Sequence, residues 1–174
     1  MLRDTALLMV QHSRQPGENG PPTTQLDSQA IEVIGRAVLV AALFRDGIEV
    51  AEPVRDHGLD LVAYVDKSRF TAWPLQMKAA TAQTFAINQK YSRIPGLVIC
   101  FVRNVHSAAP AFHALTYDET VAVGTAMGYT ATSSWIGGGS YTTTRPSQKL
   151  RELLTPYSMA EQGSWPKKLG ALQL

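Results

Sequence analysis

The sequence predicts an α/β fold with a mixed central sheet flanked by helices, on three observations. Residues 27–46 carry a helical repeat, and three short β-like runs follow it with turn residues between them. The run Leu97-Val98-Ile99-Cys100-Phe101-Val102 is apolar throughout, the pattern of a strand covered on both faces. Helix and strand patterns then continue without an internal repeat, and that order packs best as helices laid on a sheet.

Residues 1–26 read as an arm and a linker. A short apolar piece, Ala6-Leu7-Leu8-Met9-Val10, precedes Gln15-Pro16-Gly17-Glu18-Asn19-Gly20-Pro21-Pro22, which neither helix nor sheet absorbs. The first helix takes Asp27 or Ser28 as its N-cap, sets Ile31, Ile34, Val38 and Ala41 or Ala42 on one side, and stops at Gly47. Strands are expected at 48–54, 59–65 and 70–78 as a meander, the last two joined through Asp66-Lys67-Ser68-Arg69. Pro74 beside Trp73 removes a ladder donor and predicts an edge position or a bulge. The polar stretch 80–93 is expected to be partly helical, 97–102 and 112–116 to be strands, and 118–127 to be a helix ended by Gly128. Gly137-Gly138-Gly139 reads as a hairpin loop feeding the β-branched run Thr142-Thr143-Thr144, and 146–154 as a closing helix with Leu150, Leu153 and Leu154 on one side. These elements assign one domain to 27–155 and a C-terminal tail to 156–174.

A chain of 174 residues has the length of one domain and buries roughly two-thirds of the surface it exposes unfolded. With 45% hydrophobic and 17% charged residues, a disordered chain is excluded for the bulk of it. The net charge of +2 gives no strong field toward nucleic acid, so any basic surface is a local patch. The longest apolar run, 37–44, falls far short of the roughly 20 residues of a membrane span. The apolar piece near the start is too brief for a secretory signal, so no membrane partner and a cytoplasmic location are expected. Cys100, the single cysteine, reads as an inert core thiol.

The hairpin places the chemistry. If its turn centres on Ser68, positions 60 and 76 are equidistant from the centre, and Asp60 faces Gln76. Side chains alternate along a strand, so Lys78 shares a face with Gln76 while Leu75 and Met77 point into a core. A lysine beside a carboxylate in a shielded place adds little stability. An acid, an amide and an amine together do suit a divalent cation and a nucleophilic water. Singly the residues have plainer readings: Glu32 is a solvated helix position, Gly58-Leu59-Asp60 and Asp56 belong to turns, and His57 is a loop histidine. His12, His57, His106 and His113 lack zinc-ligand spacing, and no Gly-Lys-Ser/Thr follows the glycine run to make a Walker loop.

Taken in order, these residues resemble the PD-(D/E)XK nucleases, whose signature is an acid in the first helix, a Gly-x-Asp or Pro-Asp at a strand start, and an acid-x-Lys on the adjoining strand. The corresponding residues are Glu32 in Ile31-Glu32-Val33, Asp60 in Gly58-Leu59-Asp60, and Gln76-Met77-Lys78, over a stretch of 28–105. Gln76 stands where most members have Glu or Asp; transposon-end endonucleases and certain resolvase-like proteins look similar in reading Glu…Asp…Gln-x-Lys. The resemblance implies a restriction-endonuclease-like core and a metal-dependent endonuclease acting on nucleic acid, DNA rather than RNA. Asp60 and Gln76 would hold Mg²⁺ or Mn²⁺, Glu32 would join through a metal-bound water, and Lys78 would position the attacking water. Lys90, Tyr91 and Arg93, close behind the Gln-x-Lys strand, would line the path of the nucleic-acid backbone. A homodimer is the family's usual way of cutting both strands. Two alternatives stand beside this: a nuclease fold that binds nucleic acid or protein without cutting, and an unrelated α/β interaction protein.

Overall fold

Asp27 opens the first helix by accepting a hydrogen bond from the Ala30 backbone N–H at 2.7 Å, and Gly47, at a φ of 74°, turns the chain out of it. In the computed structural model, which describes residues 26–55, 58–66 and 70–172, this helix is α1 (Ser28–Arg45). Gly35, Leu39 and Leu43 are its buried residues, with Ile31, Ile34 and Val38 packed beside them. Next come β1 (Glu49–Ala51), β2 (Leu61–Val65) and β3 (Thr71–Ala80), an antiparallel meander. Leu61 lies opposite Leu75 and Val65 opposite Thr71, the register that a turn centred on position 68 requires.

A separate short strand, β4 (Phe85–Asn88), and a 3-10 turn, Gln89–Arg93, then lead into β5 (Val98–Arg103), which runs parallel to β3. β6 (Ala111–Thr116) returns antiparallel to β5, giving the order β1-β2-β3-β5-β6. Among the described residues, the α-helices and strands that follow are α2 (Tyr117–Ala126), α3 (Ser133–Gly138), β7 (Ser140–Thr143), α4 (Gln148–Leu154) and α5 (Ser164–Gly170). The result is the α/β class with a mixed sheet flanked by helices, consistent with a restriction-endonuclease-like core.

Alternation along β5 divides the interior in two. Val98, Cys100 and Val102 face a core that contains Leu39 and Leu43 of α1, Leu75, Met77, Trp165 and Leu169. Ile99 and Phe101 face the other core, with Phe85, Ile87, Tyr91, Val123, Leu150 and Leu154. Each apolar side chain taken fully out of water contributes about 1.5–3 kcal/mol, which makes the doubly covered β5 the centre of the fold.

Four expectations change. The stretch 80–93 is a strand followed by a 3-10 turn, because β4 pairs with β7, Phe85 opposite Thr143. Gly137 and Gly138 belong to α3, capped at its start by the Thr132 hydroxyl and ended by Gly139 at a φ of 68°, so the glycine run is a helix end and not a hairpin loop. Residues 156–172 are no tail: Trp165 and Leu169 of α5 are buried in the α1-side core. Pro74 sits inside a central strand without a break in register, opposite Val62; the parallel ladder with β5 begins only at Leu75, so the strand is paired on one side alone at the proline. Residues 1–25 of the expected N-terminal arm, Asp56, His57 and residues 67–69 of the turn lie outside the described residues.

Candidate functional site

β3 outruns β2. The β2–β3 ladder ends at the pair Leu61 and Leu75, whereas β3 continues beside β5 to Ala80. Along 76–80 the sheet therefore has a notch on the side that β2 has left. Asp60 stands at that point, its backbone N–H donating to the Leu75 carbonyl at 2.8 Å. Its carboxylate Oδ2 accepts the Met77 backbone N–H at 2.7 Å, a donor that a longer β2 would have satisfied. The same oxygen accepts from Nε2 of Gln76, which also donates to the Met77 carbonyl at 3.2 Å. The expected meeting of Asp60 and Gln76 is thus present. Gln76 is buried at 7% exposure, and Asp60 is partly buried.

The faces follow from the ladder with β5. Gln76 lies beside Ile99 and Lys78 beside Phe101, so both side chains point into the layer that holds Tyr91, while Leu75 and Met77 join the α1-side core. The Lys78 ammonium lies 5.3 Å from the centroid of the Tyr91 ring, and the Lys90 ammonium lies 5.0 Å from the same centroid. Two cations thereby share one aromatic ring next to Gln76. Tyr91 itself is buried at 3% exposure, so its ring serves as a seat for the lysines and is not open to stack on a base. Lys90 and Arg93 are exposed on the 3-10 turn above it.

Glu32 stands apart. α1 covers the opposite face of β3, where a Cβ on Gly35 would collide with the Cβ of Ala79. Glu32 is bonded at 2.8 Å to Arg36, one turn on, and Arg36 also holds Glu52 at 3.0 Å. Both carboxylates are 59% exposed, so these contacts contribute little to stability. The surface groove that Glu32 lines includes Arg36 and Glu52 but none of Asp60, Gln76 or Lys78. Glu52 follows Ala51, which pairs with Val62, so the Glu32–Arg36–Glu52 chain still reaches the end of the sheet at which β2 begins. Only half of that chain is readable in the sequence, as the i, i+4 spacing of Glu32 and Arg36.

A second polar group escapes sequence reasoning because it ends an apolar run. Arg103, buried at 3% exposure, donates Nε to the Thr84 carbonyl at 3.0 Å, and its Nη2 is buried without a partner. Burial holds its pKa down at about 10. His113, in the next strand opposite Phe101, also has a buried unpartnered atom, Nδ1; burial first, and the nearby Arg103 charge second, lower its pKa to about 4. Burial, followed by the Asp60 charge, pushes the Cys100 thiol far above its ordinary value, in keeping with an inert core residue.

Among the described residues, no group of three His, Cys, Asp or Glu side chains is arranged to hold a metal. Asp60 and Gln76 do carry the hard oxygen donors that Mg²⁺ or Mn²⁺ takes, and a site with a single carboxylate suits an ion that keeps several waters and completes its shell from phosphate. Gln76 presents its amide nitrogen to Asp60, so sharing an ion requires the amide to turn over and bring Oε1 forward. No helix among the described residues is long and apolar enough to cross a membrane. No family model, curated protein or solved structure matches the chain.

Proposed function

We propose that the protein is a metal-dependent endonuclease of the PD-(D/E)XK kind, hydrolysing phosphodiester bonds in nucleic acid, DNA in preference to RNA. The observation that carries the reading is the notch in the sheet, where the Asp60 carboxylate meets Gln76 and Lys78 follows on the same face beside a second lysine. Asp60 and Gln76 would hold a Mg²⁺ or Mn²⁺ ion, which would supply Lewis acidity there. Lys78 orients the attacking water and offsets the negative charge that grows on the phosphoryl oxygens. Lys90 and Arg93, exposed just outside, hold the flanking phosphates by salt-dependent attraction. Glu32, held by Arg36 on the α1 side of the sheet, has no part in this site as it stands. A single cysteine, with no disulfide possible within the chain, fits a cytoplasmic location.

Cleavage of plasmid and linear DNA with Mg²⁺, against an EDTA control, tests the reading. Asp60→Ala and Lys78→Ala each lower the rate at least about 100-fold, the usual effect of removing one group that stabilises the transition state. Full activity in either variant rejects the assignment. A second reading, binding without cleavage, is favoured by one observation: a single oxygen of Asp60 already accepts both the Met77 N–H and the Gln76 amide. In that case wild-type protein binds DNA and cuts none with either metal.

A further inference from the structure

A lysine left to itself swings on a flexible four-carbon stem, and the ion pairs among the described residues involve neither Lys78 nor Lys90. Lys78 is held by a ring instead. Its side chain is half-buried, and its ammonium lies over Tyr91 at 5.3 Å from the centroid. That ring is fixed in place: Tyr91 packs with Phe85, Ile99 and Phe101 in the core on this side of the sheet. The 3-10 turn that carries it is tied down as well. The Asn88 side chain accepts the Lys90 N–H at 2.9 Å, the Gln89 N–H donates to the Gly139 carbonyl at 2.7 Å, and the Ser92 hydroxyl donates to the Gln89 carbonyl at 2.8 Å.

We propose that Tyr91 is a positioning residue, whose ring face holds the Lys78 ammonium beside the notch where Asp60 meets Gln76. The use made of Lys78 rests on the endonuclease reading; the seat itself rests on geometry. Gln76 lies beside Ile99 and Lys78 beside Phe101, so a ring packed with Ile99 and Phe101 stands on the face that carries both polar side chains. The chemistry favours an aromatic seat over an acidic one. A carboxylate would occupy the ammonium's donors, cancel its charge and compete for a cation at the notch. A ring face attracts the charge through its quadrupole and leaves the N–H donors that point away from it free for water and phosphoryl oxygen. Lys90, 5.0 Å from the same centroid, adds a second positive charge, and a phosphate offsets the pair where a fixed acid does not.

The test changes the charge on the ring face and keeps the ring's shape. Pentafluorophenylalanine at position 91 reverses the sign of the face, and Tyr91→Phe keeps it negative. Circular dichroism and urea unfolding check that both chains fold. In nuclear magnetic resonance spectra of the full chain without metal, the Hε protons of Lys78, assigned through Lys78→Arg, should lie upfield in wild-type protein and in Tyr91→Phe. With the fluorinated ring they should return to the position of a free lysine. With Mg²⁺ and DNA, single-turnover cleavage should fall about tenfold with the fluorinated ring and recover with Tyr91→Phe, the scale of a shielded cation–π contact. Absence of the upfield shift in wild-type protein overturns the proposal with no variant needed. Shifts that the fluorinated ring leaves in place overturn it too, as does cleavage at the wild-type rate in a variant that has lost them. A wild-type protein that cuts no DNA rejects the endonuclease reading instead, and the shifts, read without substrate, still decide the seat.

Discussion

His113 shows most clearly how a single buried group sets a pH limit. Its folded pKa of about 4 lies below the ordinary 6.5, so between those values the unfolded chain binds the extra proton. Stability due to this group is therefore complete above pH 6.5 and falls as the pH drops toward 4, by about 2 kcal/mol once solvent screening is allowed for. Urea unfolding across that range should show the decline in wild-type protein and a flatter profile in His113→Phe, which offers no proton site and suits the neighbouring Phe101. An unchanged profile in the variant assigns the pH dependence elsewhere. At this scale the candidate site was legible where it depended on strand arithmetic: Asp60 and Gln76 meet because the turn centre fixes their register. Glu32 was not, since its carboxylate is held by an arginine that a tertiary contact, Arg36 to Glu52, keeps in place.

The elements that build the site depend on a close approach of α1 to β3. Gly35 lies against Ala79, with Met77 Sδ at 3.6 Å from where a Cβ would sit, so Gly35→Ala forces the helix off the strand. The expected cost is about 1–3 kcal/mol, typical of overpacking in a filled core. Guanidinium unfolding measures it, and Ala79→Gly added to the same chain should recover most of the loss. A neutral Gly35→Ala contradicts the close contact. Elements with strong local patterns were legible: the α1 repeat with its Asp27 cap, the meander, and the run around Cys100. β4 was not, because four residues among polar neighbours carry no period, and its partner β7 is distant in sequence. The glycine run misled because Gly139 supplies a helix end, a role that a glycine fills as readily as a loop position.

Over the whole molecule the chain closes on itself through a segment that composition gave no reason to include. Trp165, at 2% exposure, meets Phe112 edge-on with ring centroids 6.5 Å apart and completes the core that α1 covers. Asp46, just past α1, accepts the backbone N–H groups of Gly163 at 3.1 Å and Trp165 at 3.3 Å and fixes the start of α5. Trp165→Ala is expected to cost about 3–5 kcal/mol in chemical denaturation. A chain ended after residue 155 should lose cooperative unfolding; if it keeps wild-type stability, α5 is no part of the core. The sequence spacing in 156–174 is too short and polar for its apolar residues to announce themselves, so only packing identifies them. The proposed endonuclease activity requires a cation at the notch between Asp60 and Gln76, and anomalous diffraction from a crystal soaked in Mn²⁺ measures that directly. A peak is expected within coordination distance of an Asp60 carboxylate oxygen and of Gln76 Oε1, and none in Asp60→Asn crystals. Density showing the Gln76 amide still bonded to Asp60, with no peak beside them, contradicts it.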